Sequence, residues 1–278
     1  MARRRPFDAH PDPRHGWVGH WSAPVILARA LSAVADAARP WAIHPSGLVL
    51  ALALGGVTAA LGPGVPGARP ILAGLLATLV LGTVPGDRPR RGLLLLGLAF
   101  AAHGACIIGL SWHAPETVAA LPGTEDYLAR QARWLSTGTD PESTVLHWLP
   151  AQTWLATSMV GYGYLSMGFI PLIEGFTQVE LVHVYVGRLA AGSTSPTVAL
   201  LLGWAPWSLL QGLCLALLSW EVSSWSFARM TCRSVSTPER RLFRWLGVGA
   251  LFGADCLTKL LWLETVRGAL ADNLLGPL

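Results

Sequence analysis

Charged residues are scarce in this chain. Asp, Glu, Lys and Arg together make up 13% of its 278 residues, whereas 52% are hydrophobic, and the mean hydropathy is +0.46. Soluble domains average about a quarter charged residues, so this chain carries roughly half the charge that a water-facing surface needs. The composition excludes a soluble globular enzyme, a disordered chain and a collagen-like repeat, and it indicates a multi-pass membrane protein.

Cysteine is also rare, and the common enzyme motifs are missing. The four cysteines include no Cys-x-x-Cys pair, which excludes a disulfide scaffold or a zinc ribbon. No H-E-x-x-H, G-x-S-x-G or P-loop sequence occurs. We therefore predict no enzymatic activity, no catalytic residue and no metal site. A lipid-modifying enzyme with a diffuse site is a remaining alternative.

Long apolar segments predict an all-α polytopic bundle of six or seven transmembrane helices plus an N-terminal interfacial helix. A spanning helix needs about 17–25 apolar residues. The uncharged or weakly charged segments of about this length are 46–62, 70–85, 93–112, 148–173, 197–220 and 245–263. Segment 176–194 is apolar at most positions, but it contains Glu180, His183 and Arg188 and directly follows Glu174, so whether it spans the membrane is the open choice.

The chain divides into five predicted regions. They are a polar tail with an amphipathic interfacial helix (1–45), three transmembrane helices (46–112), an acidic extramembrane segment (113–147), three or four transmembrane helices with a basic cytoplasmic loop at 221–244 (148–263), and a short tail (264–278). The acidic segment predicts two short amphipathic helices, around 115–121 and 125–135.

The placement of arginine sets the predicted topology, because cytoplasmic loops are enriched in Lys and Arg. N-terminal arginines and the Arg88–Arg91 loop favour the cytoplasm, and the acidic segment falls outside. The basic stretch 221–244 is cytoplasmic only if the chain crosses the membrane an odd number of times between it and the acidic segment 113–147. Either 176–194 spans the membrane, which we favour, or 197–220 is a re-entrant hairpin broken at Pro206. The favoured arrangement has seven crossings in a bacterial cytoplasmic (inner) membrane, with the N-terminus cytoplasmic and the C-terminus outside.

Charged residues within the apolar segments are the first candidate site, because burying each in a bilayer is costly. Asp255 and Lys259 are four residues apart, the spacing of an ion pair on one helix face. Glu174, Glu180 and Arg188 are the other members. These residues either form structural pairs or line a path for an ion or proton.

Two histidines in apolar segments suggest a different site. His103 lies midway along 93–112, and Glu180-x-x-His183 places a carboxylate and an imidazole one turn apart. Carboxylate-bridged metal bundles need a second such motif, which the sequence lacks, so no metal is predicted. We predict no cofactor, with a haem or pigment held between His103 and His183 as the alternative.

Small residues at helical spacing indicate close helix packing. They are Gly161, Gly163 and Gly168 in one segment, and Gly249 and Gly253 in the last one. We expect the lipid bilayer and other membrane protein subunits as partners, and no nucleic acid.

Residues 182–217 resemble the central part of the Yip1-type membrane family. In that family a helix leads into a Gly-rich turn and then a span with a proline in its middle, and the matching residues here are Arg188, Gly192, Ser193 and Pro206. The resemblance covers about 36 residues. It implies a non-enzymatic bundle with a cytoplasmic N-terminus that works through partners, although the acidic segment departs from the pattern.

Two hypotheses of function follow. The first is a scaffold or accessory subunit of a larger membrane assembly that binds other subunits through its small-residue faces. The alternative is a carrier or permease component in which the intramembrane charged residues line an ion or proton path.

Overall fold

The structure, a computed structural model, describes residues 23–65, 67–139 and 144–275, and the arginines at the extreme N-terminus lie outside these ranges. Within them the chain is all-helical, as predicted, and has no strand. The helices are α1 (Ala23–Ile43), α2 (Pro45–Leu61), α3 (Ala68–Leu81), α4 (Pro89–His113), α5 (Pro115–Ala119), α6 (Thr124–Thr137), α7 (Val145–Ser166), α8 (Phe169–Gly192), α9 (Pro196–Gly203), α10 (Pro206–Thr231) and α11 (Pro238–Leu275).

Several of these helices could cross a membrane by length and composition. Three do so alone, namely Ala68–Gly86, Pro89–His113 and Pro238–Leu274. The total rises to five if each of two bent pairs, α1 with α2 and α9 with α10, forms one span. The fold class is therefore confirmed as all-α with three to five candidate spans, fewer than the six or seven that the sequence predicts.

The first bent pair explains how the chain enters the bundle. The axes of α1 and α2 meet at 99°. The guanidinium of Arg91 holds this corner by donating to the carbonyl oxygens of Ala42 and His44, at 2.8 Å and 2.6 Å. Helix α1 leaves the large apolar side chains of Ile26 and Trp41 exposed.

Helix α2 packs mainly against α4, and a glycine sets their separation. A Cβ atom at Gly55 would lie 2.0 Å from the carbonyl oxygen of Ala99, so no larger residue fits there without moving a helix. Small residues of this kind let helix backbones approach closely in membranes.

The boundary between α7 and α8 differs from the predicted helix over 148–173. Helix α7 ends at Ser166, and both Met167 (φ 51°) and Gly168 (φ 87°) adopt left-handed backbone conformations. A Cβ atom at Gly168 would lie 2.1 Å from the hydroxyl oxygen of Ser223 on α10. The turn therefore depends on glycine both for its φ angle and for its close approach to α10.

In the second bent pair, α9 ends at Gly203 and α10 begins at Pro206. The axes of the two helices differ in direction by 45°. Helix α10 then continues to Thr231, so only residues 232–237 connect it to α11 within the predicted basic loop 221–244. Helix α11 runs on to Leu275 through most of the predicted tail. The two short helices predicted in the acidic segment are confirmed as α5 and α6.

Candidate functional site

A cavity of about 600 Å³ lies between α7, α8 and α10. Tyr127 from α6 and Lys259 from α11 complete its wall. Its other polar side chains are Gln152, Ser158, Tyr162, Glu174, Gln178, Ser208 and Gln211, and three tryptophans (Trp154, Trp204 and Trp207) supply aromatic surface. The volume falls within the range of about 300–1,000 Å³ that is usual for small-molecule sites. The lining offers both a carboxylate and an ammonium group.

Hydrogen bonds fix several of the amide groups in this wall. The Gln211 side chain donates to Oε1 of Gln152 at 2.6 Å and so joins α10 to α7. The Gln178 side chain donates to Oε1 of Glu174, one turn earlier on α8, at 2.8 Å. These four polar residues are therefore positioned in pairs on two sides of the cavity.

Lys259 brings a positive charge to the cavity from α11. Both Asp255 and Lys259 are buried, at 1% and 3% exposure, and they lie one turn apart. The ammonium nitrogen lies 5.3 Å from the ring centroid of Trp148 on α7. This cation–π contact offsets part of the cost of desolvating the ammonium group.

A second cavity of about 540 Å³ adjoins the first and is more apolar. The two share wall residues that include Glu174, Gln178 and Trp204. His183 lies in the wall of the second cavity only. The ring of His183 contacts that of Trp204 with 4.5 Å between centroids, so the histidine packs against a residue that lines both cavities.

His183 also belongs to a buried polar group beside α4. One oxygen of Glu180, Oε2, accepts a hydrogen bond from Nη2 of Arg69 at 2.5 Å. The other, Oε1, lies 3.3 Å from Nε2 of His103. Arg69 comes from the start of α3, where its side chain is 18% exposed. We call Arg69, His103, Glu180 and His183 the α3–α4–α8 cluster.

The two histidines predicted as alternative haem ligands are neighbours in the fold. Their ring centroids are 5.9 Å apart, and Phe176 packs 5.0 Å from the ring of His103. A Cβ atom at Gly104 would lie 2.5 Å from Nε2 of His183, so this glycine admits the imidazole between α4 and α8. In the described part of the chain, no three His, Cys, Asp or Glu side chains are arranged to hold a metal ion.

A second ionic cluster, not predicted from the sequence, lies where α10, α11 and the turn before α4 meet. Glu221 is fully buried and contacts the guanidinium groups of Arg241 and Arg244. Arg244 and Arg240 both contact Asp87, at 3.1 Å and 3.2 Å. Glu221 is the first residue of the predicted basic loop 221–244. Because a solvated loop was expected there, nothing in the sequence indicated a buried partner for this carboxylate.

The five predicted intramembrane charged residues do not form one site. Glu174 and Lys259 line the same cavity, with Asp255 adjacent to Lys259, whereas Glu180 belongs to the α3–α4–α8 cluster. Arg188 is exposed on α8. Arg69, Gln152 and Gln211 were not predicted, because their roles come from contacts between helices that are distant in sequence.

The five predicted packing glycines also separate into two groups. A Cβ atom at Gly163 would lie 3.1 Å from side-chain carbons of Pro171 and Val222, and Gly168 contacts α10 as described. Within the described ranges, a Cβ atom at Gly161, Gly249 or Gly253 would meet no atom within 4 Å.

No protein-family model, curated protein or solved structure matches this chain. The resemblance of residues 182–217 to the Yip1-type family stays a prediction.

Proposed function

We propose that this protein is a carrier or permease component of a bacterial cytoplasmic membrane, and that its polar cavity admits a small solute with groups of both charges. The observation that carries the proposal is the joint presence of Glu174 and Lys259 in the wall of one cavity of about 600 Å³. A carboxylate and an ammonium group at membrane depth are costly, and they are typically kept where they serve a substrate or ion path. Amide groups and tryptophan rings complete a lining suited to an amphipathic zwitterion.

The proposed topology has seven crossings, formed by α2, α3, α4, α7, α8, the α9–α10 pair and α11. Contacts between helix ends support it, because they join ends that this topology puts on the same side. On the cytoplasmic side, Arg240 at the start of α11 contacts Asp87 in the turn before α4. On the outer side, the Thr194 hydroxyl after α8 donates to the carbonyl oxygen of Asn273 near the end of α11, at 2.8 Å.

Uptake by liposomes tests the carrier proposal. The purified full chain is reconstituted, and an equimolar mixture of isotope-labelled amino acids serves as the zwitterionic probe, read by mass spectrometry. We expect at least one amino acid to enter faster than into protein-free liposomes. Glu174→Gln, or Asp255→Asn together with Lys259→Met, should reduce that rate at least tenfold. Arg188→Gln is the control, since its side chain is exposed outside the cavity. Equal entry of every probe with and without protein would contradict the proposal.

The second candidate function is that of an accessory subunit of a larger membrane assembly. It is supported by the open face of α11, where Gly249 and Gly253 meet no atom within 4 Å and the flanking Leu246 and Leu257 are exposed. A partner helix could pack closely on such a face.

Native mass spectrometry of the protein released gently from its own membranes separates the two candidates. Other subunits at fixed stoichiometry, lost in a Gly249→Leu/Gly253→Leu variant but kept in Gly109→Leu, would favour the accessory subunit. Gly109 on α4 is a suitable control because its surroundings are also open and it lines neither cavity. A monomer or homodimer that carries only lipid would favour the carrier.

A further inference from the structure

The α3–α4–α8 cluster contains more buried polar atoms than the ion pair between Arg69 and Glu180 uses. Glu180 is 2% exposed, and His103 and His183 are fully buried. Both ring nitrogens of each histidine, and Oε1 of Glu180, lie buried with no hydrogen-bond partner among the residues that the structure describes. Buried polar atoms are normally paired, so unpaired ones call for an explanation such as a catalytic or ion-binding role.

The arrangement around Glu180 is asymmetric. Arg69 neutralises the carboxylate through Oε2, and its Nη1 also donates to the hydroxyl of Thr177 at 3.3 Å. Oε1 is left 3.3 Å from Nε2 of His103, close enough for the carboxylate to attract a proton on the ring electrostatically. The carboxylate is thus held by one cation while its second oxygen faces a titratable ring.

Groups from several helices surround this pair, among them the ring of Phe176 on α8, 5.0 Å from that of His103. Arg69 is charged and comes from α3, and His183 is titratable and lies on α8 with Glu180. From the residue that follows α9, the ring of Trp204 lies against His183. From the end of α2, a Cβ atom at Gly62 would be 3.6 Å from Oε1 of Glu180. The cluster therefore combines one fixed cation, one carboxylate and two imidazoles.

We infer that His103 and Glu180 form a binding site for the proton that drives the carrier. A proton from water at the partly exposed Arg69 end adds to Nε2 of neutral His103, and the resulting imidazolium pairs with Oε1 of Glu180. The net charge of the cluster rises from zero to +1. Release returns the ring to its neutral form and the proton to water, so that nothing but a proton is gained or lost.

This inference rests on the proposed carrier function and adds its coupling ion. His183 joins the two sites, because its ring lies 5.9 Å from that of His103 and also forms part of the second cavity wall. Glu174 and Gln178 line both cavities. The side chain of His183 therefore lies between His103 and the second cavity, which adjoins the proposed solute cavity.

Ring-nitrogen NMR tests the proton site without a functional assay. The full chain, with ¹⁵N-labelled histidine, is studied in lipid nanodiscs between pH 4.5 and 8.5, and His103→Gln identifies the signal. We expect the signal of His103 to change from neutral to protonated within this range. In Glu180→Gln combined with Arg69→Met, which removes both charges together, the protonated form of His103 should appear only at a lower pH.

His113→Gln is the matched control, because His113 is exposed at the end of the same helix. It should leave the His103 signal unchanged. A His103 ring that stays neutral from pH 4.5 to 8.5 would overturn the inference and indicate a structural cluster. So would a protonated fraction that the removal of Glu180 and Arg69 does not alter.

Liposome uptake separates a failure of coupling from a failure of the carrier itself. With an inward proton gradient, the wild-type protein should accumulate the labelled amino acid at least tenfold above its level at equal pH. His103→Gln should lose this accumulation but retain exchange of labelled for unlabelled amino acid. Uptake that is the same with and without the gradient would overturn the coupling while leaving the carrier intact. Absence of both uptake and exchange in the wild type would instead overturn the carrier.

Discussion

The Nε2 atom of His103 lies 3.3 Å from Oε1 of Glu180, in the interior of the bundle where neither side chain is exposed to solvent. The two residues come from different helices, and Arg69 from a third helix completes the charge balance. Polar groups in the interior of the bundle are thus gathered into a few sites. The α3–α4–α8 cluster is one, and the Asp255–Lys259 turn beside the cavity is another.

Removing Arg69 alone should destabilise the protein. Arg69→Met leaves the carboxylate of Glu180 buried without its cation, and breaking a buried pair in this way costs about 3–5 kcal/mol. Adding Glu180→Gln should restore most of the loss, because no uncompensated charge is then left. Reversible unfolding in detergent micelles measures both variants. Arg188→Met, on the exposed side of α8, is expected to change stability by less than about 1 kcal/mol. A single variant as stable as the double one would contradict the ion pair.

Loss of the buried Glu221 carboxylate should destabilise the protein more than loss of an exposed carboxylate. Glu221→Gln removes the carboxylate that two arginines of α11 contact, so those guanidinium groups lose their buried partner. We expect a loss of about 3 kcal/mol or more in the free energy of unfolding, measured in detergent micelles. Asp36→Asn is the comparison, since Asp36 and Arg233 form an ion pair that is about half exposed, and such pairs contribute about 0–1 kcal/mol. Similar losses in the two variants would show that the Glu221 cluster is not structurally important.

Adjacent glycines in α2 should respond differently to alanine. In Gly55→Ala the new methyl group meets the backbone of α4 at 2.0 Å, whereas in Gly56→Ala its nearest neighbour is the Cys106 sulfur at 3.6 Å. Overpacking against backbone costs about 1–3 kcal/mol, while Gly56→Ala should be neutral or stabilising. Thermal unfolding of the two variants measures the difference, and an equal effect would mean that α2 and α4 are farther apart.

Cysteine labelling tests the proposed topology. Cys232 is exposed in the connection between α10 and α11, which seven crossings put in the cytoplasm. A membrane-impermeant maleimide should label it in inside-out vesicles and not in intact spheroplasts. Thr117→Cys, in a background with Cys232→Ser, should show the opposite pattern because α5 would lie outside. Labelling of Cys232 from the outer side would contradict seven crossings.

Much of the helical framework was predictable, because long apolar segments indicate helices and prolines indicate where several of them begin. Segment 93–112 lies within α4, and prolines stand at the start of α2, α4 and α9. The break at residues 167–168 was not predicted, since it depends on the contact of Gly168 with α10. The local spacing of Glu180 and His183 indicated their proximity, but their partners come from other helices. Hydrophobicity patterns do not encode such pairings between distant segments.

The most direct test of the carrier proposal is chemical blockade of its cavity. Ser208 lines both adjoining cavities, so Ser208→Cys, in a chain with its four native cysteines replaced by alanine, should react with a charged methanethiosulfonate. Thr117→Cys in the same background is the control outside the cavity. The account predicts that modification at position 208 abolishes amino-acid uptake by liposomes and that modification at 117 does not. Full modification at 208 with uptake unchanged would show that the solute does not pass through this cavity.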